Sequence, residues 1–117
     1  MPKLAAPTQC RLWQITDTIK HDLALLQRVE TYSDESHFSR SLLRCSECGQ
    51  LYFHEFYETI DWEHGNDPQY VTWVPVSTPE EIEALKATTL FSIHDFVPRL
   101  LSTWPSDAER PALRWIR

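Results

Sequence analysis

The fold of this chain is decided by residues 43–53, which read LRCSECGQLYF. Segments of branched and aromatic residues, which favour extended strands, lie on both sides of a short Cys-x-x-Cys-Gly run. Gly49 suits a left-handed turn that other residues adopt only with strain. In such a turn the backbone amides can point at two thiolates, those of Cys45 and Cys48. The stretch therefore predicts a β-hairpin whose tip is a metal-binding knuckle.

Further strands are predicted on both sides of the knuckle. Residues 41–45 form the entering strand, residues 50–62 are rich in aromatic and branched side chains, and residues 63–68 (EHGNDP) predict a turn before residues 70–76 (YVTWVPV). The two longer segments predict an antiparallel hairpin, and residues 112–116 predict a closing strand. Along residues 51–62 we expect the face of Tyr52 and Phe56 to be the core face.

Helices are predicted at three places. Apolar residues recur at three- and four-residue steps from Ile15 to Val29, which predicts an amphipathic helix over residues 12–31. Residues 78–81 (TPEE) form a capping box that starts a short helix. Apolar residues between 91 and 104 predict further helical turns, interrupted near Pro98. The predicted fold class is α+β: an antiparallel sheet of three to four strands with an N-terminal helix and short C-terminal helices.

The length and composition favour one domain, residues 1–117, in which residues 1–9 form a loose N-terminal arm. With 42% hydrophobic residues the chain has enough apolar area for a core. No apolar run reaches the length of about 18 residues that a membrane span needs, and the N-terminus lacks the apolar centre of a secretory signal. The three cysteines do not form a disulfide framework. These features predict a cytoplasmic protein.

The net charge of −6, from 17 acidic and 11 basic residues, disfavours nucleic acids and anionic membranes as ligands. A basic protein partner is the better expectation. Carboxylates and aromatic residues interleave along the predicted hairpin and can form a docking surface of anchors and steering charges. The residues predicted to bind the partner are Glu55, Tyr57, Glu58, Asp61, Glu63 and Asp67. The alternative is an ordinary solvated face of a sheet.

The predicted metal site is half complete, because a structural zinc site normally has four protein ligands and Cys45 and Cys48 are two. Cys10, His37 and His54 are the candidates for completing it. His64 would lie about 40 Å from the knuckle along an extended strand, and a second subunit could instead contribute its own pair. The alternatives are a tight turn with free thiols and a Cys10 that is a small buried hydrophobic residue. A redox pair is disfavoured, because redox Cys-x-x-Cys pairs begin a helix.

Residues 43–53, continued through Phe56-Tyr57-Glu58 and residues 65–70, resemble a group of small uncharacterised bacterial proteins with a rubredoxin-like Cys-x-x-Cys-Gly knuckle. Small acidic proteins of this kind are similar in type to immunity proteins. The resemblance implies a non-enzymatic protein that neutralises a bacterial toxin domain by binding it. The alternatives are a zinc-knuckle accessory or regulatory protein and, third, a small hydrolase or nuclease built on carboxylates such as Glu55 and Asp61.

Overall fold

The part of the chain that the structure describes is built on a six-stranded antiparallel sheet in which each strand pairs with the next one in the chain. The computed structural model describes residues 3–14, 19–58, 69–89, 92–104 and 112–117. The strands are β1 (Leu26–Glu35), β2 (Phe38–Cys45), β3 (Leu51–Glu58), β4 (Gln69–Val76), β5 (Arg99–Trp104) and β6 (Ala112–Ile116). The predicted antiparallel hairpin is confirmed as β3 paired with β4, and the predicted closing strand is confirmed as β6.

Among the described residues, two short α-helices accompany the sheet, α1 (Ile19–Leu23) and α2 (Pro79–Lys86), together with 3-10 turns at Arg11–Trp13 and Ser92–Asp95. The predicted capping box at α2 is confirmed. The Glu81 amide donates to Thr78 Oγ1 at 3.2 Å, and the Thr78 amide donates to Glu81 Oε1 at 3.2 Å. These two bonds satisfy amides that the first turn of a helix leaves without partners.

The predicted sheet of three to four strands covered by an N-terminal helix is wrong. Within residues 12–31 the helical part that the structure describes is limited to the end of a 3-10 turn and to α1, and from Leu26 onward the chain is strand β1. The spacing of apolar residues wrongly indicated a helix because β1 is an edge strand. Its side chains from Gln27 to Thr31 are all exposed, so they lack the alternation of buried and exposed residues that identifies a strand. Val29, placed on the predicted apolar stripe, is 55% exposed. Hydrogen bonds to β2, the next strand along the chain, decided the conformation.

The prediction of helical turns across residues 91–104 is wrong for its second half. One 3-10 turn forms at Ser92–Asp95, but Arg99–Trp104 is strand β5 between β4 and β6. Leu100 is fully buried opposite Trp73, and Ser102 is buried two residues later. Pairing on both sides of β5 therefore overrides an apolar pattern that is compatible with either structure.

Both faces of the central strands are covered, so neighbouring residues of β3 are buried on opposite sides. Phe53 and Leu42 pack with Leu85 of α2 on one side, which we call the helix face. Tyr52 packs with Cys45, Trp73 and Leu100 on the other side, which we call the thiol face. The expectation of one core face, that of Tyr52, is therefore too simple: Tyr52 and Phe53 both have no exposed area.

The N-terminal residues 3–14 pack against the rest of the structure. The Leu4 amide donates to the Val97 carbonyl at 2.7 Å, and the Leu4 side chain joins the core of the helix face. Cys10 and Leu12 lie in the core of the thiol face, and the Trp115 indole donates to the Leu12 carbonyl at 2.8 Å. In the part of the chain that the structure describes, the helices are too short to cross a membrane.

Candidate metal centre

The Cys-x-x-Cys-Gly run forms the turn between β2 and β3. The Cys45 amide donates to the Gln50 carbonyl at 2.9 Å, and the Gly49 amide donates to the Cys45 carbonyl at 2.8 Å. Gly49 has a φ of 81°, in the left-handed region that favours glycine. The Ser46 amide also donates to the Leu25 carbonyl at 2.9 Å, which fixes the turn to the segment before β1. The turn therefore holds Cys45 and Cys48 in a defined geometry.

Cys10 is brought to this turn by the two residues beside it. The Arg11 guanidinium donates two hydrogen bonds to the Glu47 carboxylate, at 3.0 and 2.6 Å, and Glu47 lies between the two cysteines of the turn. The Gln9 side chain donates to Gln50 Oε1 at 2.7 Å. The chain around Cys10 is thus fixed to both sides of the turn.

The three cysteines form one cluster, in which all Sγ atoms lie within 4.8 Å of one another. The thiols are free; Cys10 and Cys45 are buried and Cys48 is partly exposed. Zinc–thiolate bonds of about 2.3 Å in a tetrahedral site place the sulfur atoms about 3.8 Å apart. Sulfur atoms within 4.8 Å of one another need only small side-chain movements to reach that spacing, so the three side chains can hold a metal ion. Among the candidates that the sequence offers for completing the knuckle, the structure brings Cys10 to it.

The pKa values of the thiols differ across the cluster. Burial alone would raise the pKa of Cys45, but hydrogen bonds from the backbone amides of Cys48 and Glu47 outweigh it and lower the pKa below its ordinary value. Burial raises the pKa of Cys10 to about 11. The knuckle amides therefore favour a thiolate at Cys45, as they would in a metal site, whereas Cys10 needs a cation nearby to lose its proton.

Tyr52 places a hydroxyl group beside this cluster. Its side chain is fully buried, and no atom of the described residues forms a hydrogen bond of normal geometry with its hydroxyl oxygen. Burial raises its pKa far above the ordinary value, and the Cys10 thiol contributes next, followed by Cys48 and Cys45. From the sequence, Tyr52 is predicted only to be a core aromatic residue. The hairpin register, which pairs Tyr52 with Leu43 two residues before Cys45, is the signal that could have placed it on the thiol face.

The two histidines considered as ligands lie elsewhere. His37 Nδ1 is 2.9 Å from Glu58 Oε1 near the other end of the hairpin. His54 is on the thiol face but outside the cluster, where its Nδ1 lies 3.4 Å from Ser41 Oγ and its ring packs against Trp73. Burial, and then the charge of Arg28, lower the pKa of His54 to about 4. His64 lies outside the described residues.

The residues predicted to bind a partner are found in different environments. Tyr57 is half-buried and stacks on Tyr70 with ring centroids 6.2 Å apart. Glu58 is partly exposed, and hydrogen bonds from His37 and Gln69 lower its pKa. Asp61, Glu63 and Asp67 lie outside the described residues, and Glu55 lies on the other side of the sheet from His54, in the interior.

Glu55 forms a buried ion pair with Arg40, a residue that the sequence analysis does not single out. The Arg40 guanidinium donates to Glu55 Oε2 at 2.9 and 2.8 Å. It also donates to the carbonyls of Leu85, Thr88 and Thr89, at 3.3, 2.8 and 3.1 Å, where α2 ends. Burial raises the pKa of Glu55 and Arg40 opposes that rise. The pair ties α2 to the sheet, and Glu55 is therefore buried and cannot form part of a docking surface.

Comparison of the chain with protein-family models, with curated proteins and with solved structures finds no match.

Proposed function

We propose that this protein binds a metal ion, zinc, through the thiolates of Cys10, Cys45 and Cys48, and that the ion has a structural role. The observation that carries the proposal is the approach of three sulfur atoms, from two segments distant in sequence, to within 4.8 Å of one another. Soft thiolate ligands select zinc, copper(I) and iron–sulfur clusters over magnesium or calcium. A zinc-knuckle accessory or regulatory protein is the class that follows, and it is a binding protein, not an enzyme.

Charge explains why the cluster favours an ion. Three thiolates held this close repel one another, and two of them are buried, where an uncompensated charge is costly. A divalent cation removes most of that repulsion and satisfies the sulfur atoms. Most structural zinc sites have four protein ligands. The described residues provide three here, and Cys48 lines an open depression of about 220 Å³ from which a water molecule can supply the fourth. A cytoplasmic location, where thiols stay reduced, belongs to the same proposal.

The consequence for the fold is a crosslink between residues 3–14 and the β2–β3 turn. The Arg11–Glu47 pair already connects these two segments. That pair is exposed, however, and exposed ion pairs contribute little stability. A metal bound by Cys10 and the knuckle would hold the same segments together much more strongly.

Metal titration under reducing conditions tests the proposal. We expect about one zinc per chain, in competition with a chromophoric chelator, and a loss of high-affinity binding in Cys45→Ser. The informative variant is Cys10→Ser, because a two-cysteine knuckle acting alone would not depend on it. Ser46→Ala, an exposed change in the same turn, is the matched control and should bind zinc like the wild type.

Two results would contradict the proposal. One is a wild-type protein that binds no zinc at micromolar concentration although its thiols are reduced. The other is a Cys10→Ser variant with wild-type affinity, which would limit the site to the knuckle itself or to two knuckles from different chains.

We propose a second candidate function, binding of a basic protein partner such as a bacterial toxin domain, as an immunity protein does. One observation favours it: Tyr70 is an exposed aromatic residue, 38% accessible, and it stacks on Tyr57 beside Glu58. Aromatic anchors next to carboxylates suit a cationic surface. Asp61, Glu63 and Asp67 belong to this candidate by sequence alone.

Titration calorimetry against cationic domains encoded next to the gene tests the second candidate. We expect Tyr70→Ala to weaken binding about tenfold or more, as loss of an aromatic anchor does, and Glu58→Gln to lower the association rate. Val29→Ala, an exposed apolar residue of β1, is the control. Absence of binding at micromolar concentration by the wild type would remove this candidate and leave the metal proposal untouched.

A further inference from the structure

The hydroxyl group of Tyr52 is an unexplained feature of the thiol face. The side chain has no exposed area, and its oxygen has no hydrogen-bond partner among the described residues. Buried hydroxyl groups in proteins nearly always form a hydrogen bond. A buried hydroxyl without one therefore indicates that its hydrogen-bond partner forms when a ligand binds.

The side chains that surround Tyr52 limit what that partner can be. The core of the thiol face consists of Cys10, Leu12, Cys45, Trp73 and Leu100, and the cysteines are the polar members that act on the hydroxyl. A protonated thiol is a weak acceptor. A metal-bound thiolate carries negative charge and accepts a hydrogen bond strongly, because charge-assisted bonds are about twice as strong as neutral ones.

We propose that Tyr52 belongs to the metal site, where its hydroxyl donates a hydrogen bond to the Cys10 thiolate when the metal is bound. This inference rests on the proposed function. The zinc ion displaces the thiol protons to solvent, Tyr52 keeps its own proton, and the orphan hydroxyl gains its acceptor. Cys10 and Cys45 are the buried cysteines that pack with Tyr52 in the core of the thiol face, and Cys10 interacts with the hydroxyl most strongly.

Charge balance makes Tyr52 a donor and not a fourth ligand. Three thiolates already exceed the charge of a divalent ion by one. A phenolate would add a second excess charge inside an apolar cluster, where it is costly. A protonated hydroxyl instead spreads the negative charge of one sulfur atom and leaves the fourth position, on the open side of Cys48, to water.

The test compares Tyr52→Phe with the control Tyr32→Phe. Tyr32 is a partly buried tyrosine that stacks on Phe53, on the helix face. We expect Tyr52→Phe to weaken zinc binding about tenfold, as loss of a partner of a metal ligand does. Stability of the metal-free protein to urea should be unchanged or higher, because the removed hydroxyl has no partner there. Tyr32→Phe should leave the zinc affinity unchanged.

Cobalt(II) separates a donor from a ligand. The thiolate-to-cobalt charge-transfer band reports the bound thiolates, and the ligand-field bands report the coordination geometry. Both should keep their intensity in Tyr52→Phe while the affinity falls. A changed ligand-field spectrum would make Tyr52 a ligand and overturn the proposal as stated.

Other outcomes also decide the matter. Equal zinc affinity of the wild type and Tyr52→Phe overturns this inference but not the proposed function, whereas a wild type that binds no zinc overturns both. A loss of affinity matched by an equal loss of metal-free stability makes the hydroxyl structural. Should Tyr52→Phe not fold, zinc added to the wild type should shift the tyrosine absorption to longer wavelength, and an unchanged spectrum overturns the donor role.

Discussion

The two faces of the sheet each bury a polar centre, and these centres differ in how their atoms are paired. On the helix face the Arg40 guanidinium reaches the Glu55 carboxylate and three backbone carbonyls, so its charge is matched and its donors are used. On the thiol face Cys10, Cys45 and Cys48 face one another, and the Tyr52 hydroxyl has no partner in the described structure.

This difference indicates that the centre on the helix face stabilises the fold, whereas the centre on the thiol face is suited to bind a ligand. A fully paired buried centre stabilises one arrangement of α2 on the sheet. An incompletely paired centre made of metal-ligating groups carries a cost that a bound cation would remove. Breaking the centre on the helix face should therefore destabilise the protein, whereas a cation bound at the centre on the thiol face should stabilise it.

The largest effect is expected from Arg40→Met, which leaves the Glu55 carboxylate buried without its partner. We expect a loss of about 3–5 kcal/mol in the free energy of unfolding, measured by urea denaturation. The double variant Arg40→Met, Glu55→Met should recover much of the loss, because no buried charge remains. Lys86→Met, which breaks an exposed pair with Glu83 and a cation–π contact with Tyr32, is the control and should change stability by about 1 kcal/mol or less.

The next effect is stabilisation by zinc. At a free zinc concentration about a hundred times Kd, the free energy of unfolding should rise by about 2.7 kcal/mol, and the rise should disappear in Cys10→Ser. Hydrogen exchange shows where zinc stabilises the protein. Zinc should slow the exchange of amides in the turn between β2 and β3 more than the exchange of amides at the end of α2. Equal slowing at both places would mean that the two centres are not separate.

His54 should make stability depend on pH. Its folded pKa of about 4 lies below the ordinary 6.5, so the unfolded chain binds the extra proton between these values. Stability is therefore complete above pH 6.5 and falls as the pH drops toward 4, by about 2 kcal/mol once partial exposure is allowed for. His54→Gln should remove most of this slope, leaving the smaller part that comes from His94, whose pKa burial also lowers. His21→Gln, at an exposed position, should keep the slope. A wild-type slope retained in His54→Gln would refute the assignment.

The smallest effect concerns the far end of α2 from Arg40. Thr78→Ala removes the side chain that caps the first turn and should lower the free energy of unfolding by about 1 kcal/mol. Thermal unfolding of the variant measures it, with Ser77→Ala as the neighbouring control. A loss as large as that of Arg40→Met would show that the cap, and not the ion pair, anchors this helix.

Local chemistry made several parts of the structure predictable. The knuckle turn at Gly49, the β3–β4 hairpin and the capping box at Thr78 each depend on residues close together in sequence. The β1 segment was not predictable, because an edge strand has little alternation and its conformation depends on pairing with β2. The environment of Glu55 was equally hidden, since its partner Arg40 lies on another strand.

The sequence by itself was enough to place the two thiols of the knuckle on one tight turn. Their spacing and the turn depend on backbone preferences over a few neighbouring residues. Only the tertiary structure decided that Cys10 completes a cluster and that Tyr52 lies buried beside it. Those contacts join residues about forty positions apart, and only the pairing of strands and the packing of the N-terminal segment on the thiol face set such distances. On the helix face, the pairing of β2 with β3 and the packing of α2 placed Glu55 in the interior, although its charge suggested the surface.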